Sequence, residues 1–425
     1  MRFGTAKEII TPVFPVKLAC VGDFGSKFTG VHDDVFARCL VMDDGNEKYI
    51  LMSYDLLFHD RSLNDALAEY AKEKYNVGTL TVAYTHAHTS PASKGYYPDH
   101  HDDLYEELLI SRGKSAIDKA LSTMFEGILE YGSFDADFNV SRRGVENGEY
   151  VNAPNMDYPR DREFSVMCVR DNSGDIRSVV AVYACHPVFY PTRTLVSAEY
   201  PGRLCALLES KYYGATALYF QSACGDVRPR PTVNDEKNGW ILRGSFKEID
   251  AFAQSMLERV SSFIDDGGCE KRVLSLASEE FDITLEMDPK PLEYFIEMNK
   301  VYADADHPEA NNARYIAGGG YDKLEDTLKL TCQAVRVSDD FYIATIGGEP
   351  CNGVKRIVTS AFEKKQVCFI GYTDASAYIV DDTMLNEGGY EPNSHLEYCL
   401  IGPFKKGLDK KYYDAFAEHF EKIKK

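Results

Sequence analysis

YILMSY (49–54), LNDALAEYAKEKY (63–75) and TLTVAY (79–84) decide the fold of this 425-residue chain. The first and third are short, nearly continuous apolar runs of strand length, and the middle one repeats its apolar residues at helical intervals. A strand, a helix and a second strand in direct succession form the unit from which a parallel sheet is built. Outward from this unit the alternation continues less regularly. Leu104, Leu108, Leu109, Ile117 and Leu121 keep helical spacing, FSVMCVR (164–170) and SVVAVYAC (178–185) read as strands, and a short helix around Leu204, Leu207 and Leu208 precedes a strand TALYF (216–220). A long helix carries Ile249, Phe252, Met256, Val260 and Phe263 on one face. KRVLSLASEEFDITL (271–285) reads as a long strand or hairpin, and helical stretches follow near 291–303 and 311–328. Strands at 331–337, 341–346 and 367–371 and a last helix through Tyr412, Phe416, Phe420 and Ile423 complete an α/β pattern with a mixed sheet, flanking helices and antiparallel additions.

Composition narrows the functional classes. With 44% hydrophobic residues and 12% aromatics the chain can bury a sizeable core, and a net charge of -20 argues against nucleic acid, whose affinity rests on clustered Lys and Arg. No stretch reaches the length of a membrane span, so stable membrane insertion is not expected, and the start MRFGTAKEIITPVFP lacks the pattern of a secretory signal. Eleven scattered cysteines without a CxxC pair read as reduced thiols and a cytoplasmic protein. Neither a repeat nor a Gly/Ser/Pro-rich linker marks a boundary, so one large domain over 1–425 is expected.

Four polar clusters lie just beyond strand-like runs: THAHTSP after TLTVAY, HPVFY after SVVAVYAC, QSACGD after TALYF, and GGEP after YIATI. Ligands of open α/β sheets bind outside the carboxyl ends of strands, where such loops converge. In an extended segment the spacing of His86 and His88 directs both rings to one side. His186 ends a second strand, and Glu349 follows two glycines that permit close backbone approach. Two imidazoles and a carboxylate are a zinc set that leaves one position open. A pair of hydrogen-bonded structural histidines is the competing reading, because residues so far apart carry no diagnostic spacing.

The same segments resemble the neutral ceramidases. THAHTSP is similar to that family's THTHSGP, NVSRR (139–143) to NINRSP, ACHPVFY to its HP or HG segment, SACGDVRP to SSNLGDVSPN, and GGEP to PGE. Ala377-Tyr378-Ile379 followed by GGYE (388–391) is similar to GYI and a later YE, with Tyr378 and Tyr390 twelve residues apart as in the family. The order of the six segments is kept from about residue 5 to 391. The resemblance implies one Zn2+ per chain held by His86, His186, Glu349 and Tyr378, with His88, Arg142 and Tyr390 positioning substrate and stabilising charge. It also implies a mixed α/β catalytic domain, without the immunoglobulin-like domain that normally follows it.

One departure shapes the expected chemistry. Where the family has serine after GDV, this chain has Arg228, which cannot serve as a nucleophile. Metal-activated water is then the expected attacking group, and Asp226 and Arg228 are expected to bind a small polar or anionic substrate. The leading expectation is a zinc amidohydrolase cleaving a C–N bond; an ester, phosphoester or sugar-derived linkage, or a binding protein on the same scaffold, are the alternatives. Ser222 is a weaker nucleophile candidate, and Asp55 either orients a histidine or caps the next helix. PDHHDD (98–103) reads as helix-start chemistry, GGG (318–320) lacks the spacing of a phosphate loop, and His59, His307, His395 and His419 receive no role.

Overall fold

In a computed structural model, the strand Lys48–Tyr54, the helix Arg61–Tyr75 and the strand Thr79–Tyr84 form the expected unit, with Tyr49 paired to Thr79 in parallel register. The structure describes all residues except 21–26, 95–101, 193, 231, 236–238, 243, 304, 306, 375 and 425, and the side chains of 232–235 and 239–242. Among the described residues the largest sheet has nine strands. Eight run in the order Thr216–Gln221, Ile176–Tyr183, Glu163–Asp171, Phe125–Asp135, Arg2–Ile9, Phe36–Asp43, Lys48–Tyr54, Thr79–Tyr84, and Glu270–Arg272 pairs beside Phe125–Asp135. A second sheet has the order Ala277–Glu286, Thr327–Arg336, Phe341–Ile346, Gln366–Ile370.

Alternation along the strands explains the layering. In Phe36–Asp43, Cys39 and Val41 pack among the helices Arg61–Tyr75 and Asp103–Ser122, while Leu40 and Met42 join the core shared with the second sheet. That shared core contains Leu51, Val180, Val182, Leu218 and Phe220 from one sheet and Val335, Phe341, Ile343 and Ile370 from the other. Helices Glu199–Lys211 and Phe246–Asp265 cover the other end of the large sheet. Helices Asn352–Ser360 and Leu408–Ile423 cover the second sheet. The result is a mixed α/β domain layered helix, sheet, sheet, helix.

The large sheet curls until its two ends meet. Ser53 Oγ donates to Tyr219 O at 2.8 Å and Gln221 Nε2 to Thr85 O at 3.0 Å. The second sheet reaches the same point, where Tyr84 N donates to Tyr372 O and Gly371 N to Gln221 O, each at 3.0 Å. Two of the polar clusters, THAHTSP and QSACGD, are thereby drawn together beside residues 371–372.

Several expectations change. Residues 271–285 form neither one strand nor a hairpin: Glu270–Arg272 belongs to the large sheet and Ala277–Glu286 to the second, so the segment crosses between them. The second helical stretch ends early, at Tyr315, because Ile316–Gly320 loosens into a π-turn with Gly319 at φ 109. Asp60, not Asp55, caps the helix Arg61–Tyr75, accepting from Ser62 N at 2.9 Å. Asp55 is buried against Arg38 at 2.5 Å and orients no histidine. Of PDHHDD, residues 98–101 lie outside the described residues, and Asp102 caps the next helix through Leu104 N and Tyr105 N. All eleven cysteines are free thiols. Among the described residues no helix is long and apolar enough to cross a membrane.

Candidate metal centre

His86 leaves the strand Thr79–Tyr84 through a left-handed turn, φ 62, rather than through extended chain. The expectation that both rings share a side is therefore met for a different reason. The turn folds residues 85–90 back on 54–57, with Thr85 N on Tyr54 O at 2.9 Å and Leu57 N on Ser90 Oγ at 3.0 Å. The His86 ring stands between Phe58 and Tyr372, with centroids at 5.5 and 4.6 Å. A non-glycine residue at positive φ costs roughly 1–2 kcal/mol, and Tyr190 (φ 47), Glu199 (φ 50) and Tyr372 (φ 61) carry the same kind of strain around this site.

Two glycines admit the carboxylate. Gly348 has φ 73, and a Cβ there would lie 2.5 Å from Ala377 O; a Cβ on Gly347 would lie 2.4 Å from an Asp374 carboxylate oxygen. The chain then forms the two-residue strand Glu349–Pro350, parallel to Tyr378–Ile379 with Glu349 opposite Tyr378. The pairing makes Glu349 and Tyr378 neighbours although 29 positions separate them.

The donor atoms now converge. His86 Nδ1 faces Leu57 O at 3.0 Å, His186 Nδ1 faces Cys224 O at 3.3 Å, and His88 Nδ1 faces His86 O at 3.1 Å. A carbonyl only accepts, so in the neutral ring each Nδ1 carries the proton and each Nε2 presents a lone pair. His86 Nε2 lies 3.1 Å from His186 Nε2 and 3.2 Å from Glu349 Oε2, and His186 Nε2 lies 3.9 Å from that same oxygen. Among the described residues the buried Oε2 makes no hydrogen bond of proper geometry, while Oε1 accepts from Tyr398 Oη. With neutral rings, acceptors thus face one another in a buried site, an arrangement that a cation satisfies. His86, His88 and His186 can place one ligand atom each within 4.8 Å of one another, so a third imidazole is within reach of the same ion.

Burial, followed by the neighbouring His86, pushes His88 and His186 well below the ordinary imidazole value, which keeps them neutral as ligands require. Burial opposes ionisation of Glu349, but His86 and the Tyr398 hydroxyl outweigh it and hold the carboxyl below its usual range.

A cavity of about 160 Å³ opens on these atoms, lined by His86, His88, His186, Glu349, Arg142, Tyr378 and Tyr390. Arg142 donates through Nε to Glu391 Oε1 at 2.9 Å, lies over the rings of Tyr378 and Tyr390 at 5.1 and 5.3 Å, and among the described residues makes no hydrogen bond of proper geometry through Nη2. Burial raises the Tyr378 phenol well above its ordinary value, with Arg142 acting against it. Asp226 and Arg228, expected at the substrate, are not among the lining residues. Asp226 accepts from Asn352 N at 2.9 Å and its backbone carbonyl from Arg142 N at 2.9 Å, while Arg228 pairs with Val140 in a short strand. Ser222 donates to Asp161 Oδ2 at 2.9 Å and also stands outside the lining. The cavity adds Tyr190 and also Cys20, Asn152 and Glu397, of which the last three were marked by no motif. Tyr190 alone had a signal, since it ends the HPVFY segment.

No known protein family's sequence profile matches the chain. Among solved structures, the neutral ceramidase from Pseudomonas aeruginosa superposes with a TM-score of 0.74 at 17% identity, over 100% of this chain and 75% of that one. A ceramidase complexed with C2 gives 0.73 at 16% identity, over 100% and 76%. The fold is that of the neutral ceramidases. At such low identity the likeness establishes architecture, and the neutral ceramidase fold brings this chain's own strand ends, with His86, His186 and Glu349, to one cavity.

Proposed function

We propose that this protein is a zinc-dependent amidohydrolase acting on a small polar substrate. The observation that carries the reading is the convergence of His86 Nε2, His186 Nε2 and Glu349 Oε2, each presented as an acceptor. Imidazole nitrogen with carboxylate oxygen is a donor set suited to zinc, and Tyr378, beside Glu349 in the register, is the proposed fourth ligand. When bound, zinc polarises a scissile carbonyl and lowers the pKa of water toward neutrality.

The chain's own residues supply the rest. Arg142, held by Glu391, keeps Nη2 for an oxygen on which negative charge develops. Tyr390, whose hydroxyl is anchored on Glu397 Oε2 at 2.5 Å, closes the same wall. His88 lines the cavity beside His86 and His186 and is the proposed proton shuttle to the leaving nitrogen. The C–N choice is supported by the fold shared with the ceramidases, whose name denotes an amide substrate. The space at the metal centre, about 160 Å³, suits a small group at the scissile bond. An anionic substrate gains little support, because Arg142 is already paired and Arg228 is not in the lining.

Metal analysis of purified protein together with turnover of short N-acyl, ester and phosphoester compounds tests the reading. About one zinc per chain, chelator-sensitive cleavage of the N-acyl compounds, and loss of both in Glu349→Ala are expected. A metal-free wild type would end it, and cleavage of esters alone would move the bond.

A further inference from the structure

Glu349 uses one carboxylate oxygen toward the histidines and the other toward Tyr398, and Tyr398 belongs to a segment no motif covers. That segment is reached through the helix Tyr390–Asn393, which starts in GGYE, and the 3-10 turn Ser394–Leu396. Turns of three or four residues do not hold themselves rigid, because too few hydrogen bonds offset the ordering of the backbone. Something outside must fix the point from which Tyr398 projects.

Asn312 meets that requirement. It lies in the helix Pro308–Tyr315, is 9% exposed, and donates through Nδ2 to two successive carbonyls, Leu396 O at 3.0 Å and Glu397 O at 2.8 Å. One amide nitrogen thus spends both protons on the two residues that precede Tyr398. The segment is held again from the cavity side, where Tyr390 Oη donates to Glu397 Oε2. The helix carrying Asn312 and the turn after it pack through Ala313 and Ile316 with Phe295 and Leu396, so a helical insertion between the strands Ala277–Glu286 and Thr327–Arg336 bears on the carboxylate wall of the cavity.

We propose that Tyr398 and Asn312 are positioning residues of the metal centre. Tyr398 engages Oε1 so that Oε2 is the atom turned to His86 and His186, and Asn312 fixes the turn that delivers Tyr398. The inference rests on the metal reading given above. Neither residue touches the ion; each acts through the orientation of Glu349, and loss of such outer partners typically weakens metal affinity by ~10–100-fold.

The test is zinc affinity of the metal-stripped full chain, measured by competition with a chromophoric chelator, with the visible spectrum of the cobalt form as a second readout. Tyr398→Phe, which removes one oxygen and no packing, is expected to weaken binding by ~10–100-fold and to alter the cobalt spectrum. Asn312→Ala is expected to act in the same direction and to lose its effect, to within about twofold, in the Tyr398→Phe background, because residues acting through one another are not additive. Asn312→Ser, which also removes the double donor, replaces it should Asn312→Ala not fold. Wild type that binds zinc with Tyr398→Phe equally tight overturns this inference and leaves the metal reading intact. Fully additive losses would remove Asn312 from the relay, and a wild type that binds no zinc overturns the metal reading itself.

Discussion

The two ends of the large sheet are built alike and used in opposite order. Each is a parallel strand pair with a helix in the connection: Lys48–Tyr54 with Thr79–Tyr84, and Ile176–Tyr183 with Thr216–Gln221. At the first end the imidazole follows the second strand, and the carbonyl that orients it, Leu57 O, follows the first. At the other end His186 follows the first strand and its carbonyl, Cys224 O, follows the second. Each unit therefore supplies one ligand and one fixed acceptor for that ligand's Nδ1, and both rings point Nε2 at the seam where the sheet ends meet. The difference lies in strain: His86 has φ 62, whereas His186 is not among the residues at positive φ.

The largest expected effect comes from removing either ring. His86→Ala and His186→Ala should each abolish turnover and bring the zinc content of purified protein close to zero, since each withdraws one of few donors. Glycine separates the two ends. His86→Gly places at φ 62 the one residue that adopts it without cost, while His186→Gly adds only unfolded-state freedom. Metal-free His186→Gly should therefore be less stable than metal-free His86→Gly by about 1–2 kcal/mol in urea denaturation. Equal stabilities would show that the turn at His86 stores no strain.

A second contrast concerns what holds the two carbonyls. Leu57 is two residues from His59, a fully buried ring bonded to Glu106 through Nε2 and to Asp60 through Nδ1, whereas Cys224 stands in a neutral pocket beside Tyr372. Burial alone would lower the His59 pKa, but its hydrogen bonds to Asp60 and Glu106 and the Glu106 charge prevail and raise it to about 9. A folded-state value above the unfolded one gives stability that is complete below about pH 6.5 and fades as pH rises through about 9. The shift corresponds to about 3 kcal/mol. Wild type minus His59→Gln, compared by urea denaturation from pH 6 to 9.5, should show that decline. A constant difference would mean that His59 stays neutral in the fold.

How much of this was legible follows from what kind of signal each residue carries. The unit 49–84 could be read because its periodicity is local, and the end-of-strand rule placed His86, His186 and Glu349 together without a structure. The same-side argument for His86 and His88 reached the right place by the wrong backbone, because a left-handed turn at a histidine leaves no pattern in composition. RFGTAKEI forms a central strand although its alternation is broken by Gly4 and Thr5, since its pairing with Phe36–Asp43 and Phe125–Asp135 is decided by tertiary contact. Tyr398 and Asn312 were invisible for the same reason: an amide 84 positions from its acceptor has no spacing to read.

Arg228 offers the smallest expected effect and the sharpest check on reading function from aligned motifs. It occupies the position at which the resembling family has serine, yet its strand Val227–Pro229 pairs with 139–141, and the side chain is not among those lining the cavity. Burial, with Arg142 adding repulsion, lowers its pKa to about 10, so it is charged at neutral pH in a setting that disfavours the charge. The neighbouring peptide is what the site uses, since Asp226 O accepts from Arg142 N and thereby sets the strand that carries Arg142. Arg228→Ser should accordingly change KM for acidic and neutral substrates alike by less than about twofold, the difference that remains when no substrate contact is removed. A loss of tenfold or more confined to acidic substrates, about 1.4 kcal/mol of selective binding, would place the guanidinium at the substrate after all and restore an anionic specificity to the site.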